Sequence, residues 1–178
     1  SIVIDGTGQT TSQINAAATY TLNSTGYLNV GDANQTIGPY STTTNALTLF
    51  NGPTASAHIE VETPGTLTIL GNTGTTSFTS NVVINALPGG FPVGSNLSAD
   101  GVGAGGFGAS APEPASIWGS GFLALAPPKT STSNGTMTIT VNDSNGPDDF
   151  DISANIVDSG TTRGTLTKSG NGRMTLSG

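Results

Sequence analysis

Residues 164–178 read GTLTKSGNGRMTLSG. Thr165, Thr167, Ser169 and Thr175 alternate with Leu166, Lys168, Met174 and Leu176. Alternation of this kind is the signature of a strand, because successive side chains point to opposite faces. Gly170-Asn171-Gly172 divides the stretch, and glycine tolerates the positive φ that a sharp bend requires. The local expectation is two short strands joined by a tight turn, with one hydroxyl-bearing face.

The same period extends over most of the chain. Candidate strands are 2–5, 19–23, 27–31, 46–50, 58–63, 66–70 and 80–87, followed by 136–142, 150–154, 155–157, 165–168 and 174–177. Gly, Asn, Pro or Thr clusters separate them. Only 13–18 (QINAAA) carries a helical signal of a turn or two. Leu28-x-Val30, Leu47-x-Leu49 and Leu67-x-Ile69 recur at roughly 20 residues, the length of one β-helix coil, with Ile37 and Ile59-x-Val61 between them. A Gly-Thr-Leu/Met-Thr motif recurs at 65, 135 and 164 without constant spacing. The expected fold is therefore all-β, a β-solenoid of the parallel β-helix kind with a long Gly/Pro-rich insertion. A β-sandwich or jelly roll with uneven loops gives a similar strand list and stays open as the alternative.

The C-terminal stretch resembles the autotransporter-associated β-strand repeat, whose pattern is roughly G-x-L-x-K-x-G-x-G-x-L-x-L-x-G. Leu166, Lys168, Gly170, Gly172, Leu176 and Gly178 fit that pattern, Met174 replaces one Leu, and Arg173 stands where Thr or Lys is usual. The resemblance implies a secreted bacterial β-solenoid of the passenger type at the cell surface. It names no activity.

Composition narrows the function. Charged residues are 8% of the 178 positions, against about a quarter in ordinary globular proteins. Thr, Ser, Asn and Gly take their place, which suits strands stacked at close repeat distances where like charges would repel. The net charge is −7, and residues 1–128 contain no Lys or Arg. A phosphate-binding surface cannot be built there, so nucleic acid and anionic membranes are not expected partners. The absence of cysteine excludes disulfides and thiolate metal sites. No apolar run reaches the roughly 18 residues of a membrane-spanning helix. A chain that begins at Ser1 and runs directly into an apolar strand reads as a mature, secreted form.

The sequence divides into a strand-rich region (1–87), a Gly/Pro/Ala-rich apolar insertion or arm (88–129) and a second strand region (130–178). The middle region holds Phe91, Phe107, Phe122 and the only tryptophan, Trp118. Such a stretch packs over its own domain or docks into a neighbour. In the docking case the assembly residues are Trp118, Phe122 and Leu123 of the arm, with Ile2, Val3 and Ile4 of the first strand and Met174 and Leu176 of the last. The terminal strands leave no room for capping helices or charged guards.

Two clusters carry potential chemistry. His58-x-Glu60-x-Glu62 places an imidazole and two carboxylates on one strand face, which suits a metal ion, an acid–base pair or simply a solvated surface. Asp143, Asn145, Asp148, Asp149 and Asp151 surround a glycine turn and are the candidate calcium ligands, because Ca²⁺ takes six to eight oxygens. Position 154, where an EF-type loop needs Glu, is Ala, so an Asx-rich turn explains the cluster equally well. With one His and no Cys, most nucleophilic triads are excluded. The expected function is a non-enzymatic, extracellular or cell-surface subunit of a homopolymeric fibre, sheath or layer. The alternatives are a glycan-binding adhesin segment using Tyr20, Tyr27 or Tyr40, and a calcium-dependent polysaccharide-active enzyme drawing on Arg163 or Arg173.

Overall fold

The computed structural model describes residues 2–3, 14–15, 18–23, 25–38, 45–51, 56–70, 79–85, 114–125, 135–143, 148–159 and 163–178. In chain order the strands are β1 (Ile2–Val3), β2 (Tyr20–Leu22), β3 (Tyr27–Gly31), β4 (Asn34–Ile37), β5 (Leu47–Phe50), β6 (His58–Val61), β7 (Thr66–Ile69) and β8 (Thr79–Asn85). They continue as β9 (Ala115–Trp118), β10 (Phe122–Leu125), β11 (Gly135–Val141), β12 (Phe150–Ile152), β13 (Asn155–Asp158), β14 (Gly164–Ser169) and β15 (Met174–Leu176).

These strands form three sheets. Sheet A has the order β1-β3-β6-β9-β12-β15, sheet B β14-β11-β8-β5-β2, and sheet C β13-β10-β7-β4. Every pairing is parallel. From β3 onward the chain visits A, C and B in turn and then returns to A, one coil above. Stacked all-parallel sheets of this kind are consistent with a β-solenoid. A sandwich would pair its strands antiparallel.

Alternation builds the core. On sheet A, Leu28, Ile59, Ile117 and Ile152 occupy equivalent register positions, and all four are buried. On sheet C, Leu67 stacks under Leu123, with Ile69 under Leu125. On sheet B, Met137, Ile139 and Val141 turn inward and are fully buried, while Thr136, Thr138 and Thr140 turn outward. The outward rows stack hydroxyls at the strand spacing of about 4.8 Å. Thr140 Oγ1 lies 2.8 Å from Ser169 Oγ of the next coil. Rows of charge at that spacing would repel, which is the physical reason for the low charge content.

Corners close the coils. Gly119, between β9 and β10, has φ 117°, and a Cβ there would lie 2.1 Å from the Val61 carbonyl oxygen of the coil below. Gly170, between β14 and β15, has φ 77° and would place a Cβ 2.2 Å from the Val141 oxygen. Buried Asn51, after β5, ties coils together: its Nδ2 donates to the Asp149 carbonyl at 2.8 Å and its Oδ1 accepts from Ala115 N–H at 3.2 Å. The Ala115 N–H also donates to the Asp149 carbonyl at 3.1 Å, so Asn51 reinforces an existing link between two later coils.

Three sequence expectations change. The apolar pairs near 28, 47 and 67 are not successive rungs: they lie on β3, β5 and β7, which belong to sheets A, B and C respectively. Their spacing marks a step around the coil, and a full coil takes roughly thirty residues, as from Leu28 to Ile59. Residues 115–125, assigned above to the insertion, form β9 and β10 and supply Ile117 and Leu123 to the core. Strand β4 was also missed, because NQTI places polar Gln35 at an inward position. Residues 86–113, the remainder of the insertion, lie outside the described residues.

Candidate functional site

The outer face of sheet A gathers side chains distant in sequence. Parallel register aligns Tyr27 with His58, His58 with Ser116, Ser116 with Asp151, and Asp151 with Thr175. One pleat along, Asn29, Glu60 and Trp118 form a second row. The pattern His58-x-Glu60 thus faces outward, with Ile59 and Val61 buried behind it, as alternation requires. Glu62 falls beyond the end of β6 and is exposed.

The rows are cross-linked. The Tyr27 hydroxyl donates to Glu60 Oε2, and Asn29 Nδ2 donates to the same oxygen at 2.8 Å. Burial first, and then the hydrogen bond and charge of Glu60, push the Tyr27 phenol from 10.0 up to about 12. His58 Nδ1 lies 2.7 Å from Ser116 Oγ. A shallow depression of about 540 Å³ opens here, lined by Tyr27, His58, Pro114, Ser116, Trp118 and Asp151. Trp118 is 39% exposed, one of two large apolar side chains so exposed among the described residues.

The His58–Ser116 contact brings an imidazole and a hydroxyl together, the groups of a base and a nucleophile. Ser116 is only 8% exposed. Its backbone N–H donates to the Ala57 carbonyl, and that of His58 to the Gly26 carbonyl. Amides spent on the sheet ladder cannot serve as oxyanion donors.

Among the described residues, the candidate calcium ligands do not converge. Asp149 is 1% exposed, and its Oδ2 accepts the Arg173 N–H at 2.7 Å, fastening the start of β15 to that of β12. Asp148 Oδ1 accepts from Thr175 Oγ1 at 3.1 Å and pairs with Arg173 Nε at 3.2 Å. Asp151 points out from sheet A toward Ser177 Oγ at 3.4 Å. Asp143 is exposed beyond β11, and Asn145 lies outside the described residues. Among the described residues no group of three or more His, Asp or Glu side chains could hold a metal ion.

The predicted assembly residues separate into two groups. Leu123 is buried in the chain's own core and is unavailable to a neighbour, which corrects the docking-arm expectation for it. Phe122 is half-buried on sheet C, aligned with Thr66 and Asn155. Ile2 and Val3 pair with Leu28 and Asn29, while Ile4 lies outside the described residues. Met174 and Leu176 stand on Phe150 and Ile152 in the final coil. There β13, β14 and β15 are each the last strand of their sheet. Leu176 is 53% exposed, and Ile156, Leu166 and Met174 are half-buried against the core. The final coil does contain one charged guard that the sequence reading left out. Lys168 stands over buried Ile139, and its ammonium turns back to the Gly170 carbonyl at 2.7 Å.

No family model, no curated protein and no solved structure matches this chain.

Proposed function

We propose that the chain is a non-enzymatic, extracellular structural element: a stacked-coil rod that self-assembles into a surface fibre or layer through its C-terminal coil. The observation that carries this reading is the apolar face of that coil, where Leu176 is 53% exposed above a continuous column of buried residues. Three parallel strand edges surround that face, and a further coil of the same geometry would pair with all of them. In this reading a second copy supplies that coil, where a continuation of the same polypeptide would pair in the same way. A heterologous contact of this kind does not close, so it propagates as a filament. The resemblance of 164–178 to the autotransporter-associated repeat supports placement outside the cell.

Negative-stain electron microscopy across a concentration series, with Leu176→Asp alongside, tests the reading. Regular filaments or sheets that the substitution abolishes are expected. Discrete monomers of the wild-type chain at every concentration would overturn it, and so would filaments that persist in Leu176→Asp.

A further inference from the structure

The second surface, the outer face of sheet A, is independent of the coil end, and we propose that it binds a neutral saccharide chain lying along the rod axis. Three features of the depression point to this ligand.

The first is the pairing of an aromatic platform with a polar wall. Trp118 is exposed, and Tyr27, His58, Ser116 and Asp151 line the same depression. An aromatic ring stacks against the C–H face of a sugar, while carboxylate and imidazole groups take its hydroxyls. Sites of this kind combine one apolar surface with a few fixed polar groups. The volume of about 540 Å³ falls within the range of small-ligand clefts, roughly 300–1,000 Å³.

The second feature is charge. Glu60 and Asp151 lie on this face, and none of the four basic residues of the chain lines the depression. Uronates and sulfated sugars would be repelled. Neutral sugars present hydroxyl donors, which carboxylates accept without a charge conflict.

The third is direction and rigidity. The Tyr27–His58–Ser116–Asp151 row crosses four adjacent strands, at steps of about 4.8 Å. That step is close to the length of one sugar ring, so successive residues of an oligosaccharide meet successive strands. The hydrogen bonds of Glu60 to Tyr27 and Asn29, and of His58 to Ser116, fix these groups before any ligand arrives. An extended peptide finds less here, because the backbone groups of a sheet interior are already paired and strand addition needs a free edge.

Trp118 is the only tryptophan, so its emission reports directly on the site. The experiment titrates the full chain with neutral tetrasaccharides of β-linked glucose, N-acetylglucosamine, xylose and mannose, with tetragalacturonate as the anionic arm. Calorimetry follows the same titrations for Trp118→Ala, whose outward position lets circular dichroism verify the fold. A saturable emission change with at least one neutral sugar is expected, weakened at least about tenfold in Trp118→Ala, with no response to the uronate. The proposal is overturned if no neutral sugar perturbs the emission, if Trp118→Ala binds as well as wild type, or if the uronate binds more tightly. Filament formation by the same samples is read separately, so failure of the rod reading leaves this result intact.

Discussion

Tyr27 illustrates how a residue's chemistry follows from its register. Alternation alone turns it outward, yet its ring is half-buried, and the neighbouring strand places Glu60 against its hydroxyl. The phenol is pushed up to about 12, first by burial and then by Glu60. A folded-state value above the unfolded one means that the folded chain holds the proton more tightly. The corresponding stability is fully present below pH 10 and is lost as pH rises toward 12. Tyr27→Phe is therefore expected to lower stability by about 1 kcal/mol at neutral pH through loss of the hydrogen bond. It should also fall less steeply than wild type between pH 10 and 12, as measured by denaturant midpoints across that range. Identical slopes for the two proteins would refute the account. Little of this was legible in the sequence, because Tyr27 and Glu60 become neighbours only through the β3–β6 pairing.

Elements show where sequence reading succeeds and where it stops. Twelve of the strands were indicated by alternation, because alternation is local and survives any stacking arrangement. Strands β9 and β10 were missed because three of the four residues in each of ASIW and FLAL are buried, which blurs the alternation, and both lie within a stretch of Gly and Pro. A run buried on both sides of its pleat carries no period. The Gly-Thr-Met-Thr and Gly-Thr-Leu-Thr motifs at 135 and 164 turn out to be stacked residue on residue in β11 and β14, while the copy at 65 leads into β7, an inner strand of sheet C. Corners were better marked. Gly170 was read as a bend requiring positive φ, and it adopts φ 77° against the Val141 oxygen. Gly170→Ala combines an unfavourable backbone conformation with that contact. It is expected to cost roughly 1–3 kcal/mol and to lower Tm by several degrees in thermal unfolding. An unchanged Tm would show that the corner relaxes without penalty.

At the scale of the molecule, the coil of β13, β14 and β15 differs from the coils beneath it. Inward residues of the inner coils are covered from above and below, whereas among the described residues β13, β14 and β15 have a strand neighbour on one side only. Lys168 stands at an inward register position over Ile139 in that coil. An inward-pointing charge at a sheet edge opposes indiscriminate pairing, since a coil added above must neutralise or displace it. Lys168→Leu is accordingly expected to lower the concentration at which the chain assembles by several-fold, measured by sedimentation velocity over a dilution series. Assembly unchanged or weakened in Lys168→Leu would show that the ammonium does not guard the end.

The sequence by itself determined twelve of the fifteen described strands, the inward side of their alternation and the corner at Gly170. These properties depend on neighbours one to four positions away, and period two and positive φ are written locally. Only the tertiary structure decided which strand lies on which. All three faces share the same alternation, and the connections between them vary in length, so the coil repeat is not a sequence repeat. That decision brings positions 27, 58, 116 and 151 into one row and leaves Trp118 beside it. The parallel hydrogen-bond ladder sets the register, and the register assembles the surface.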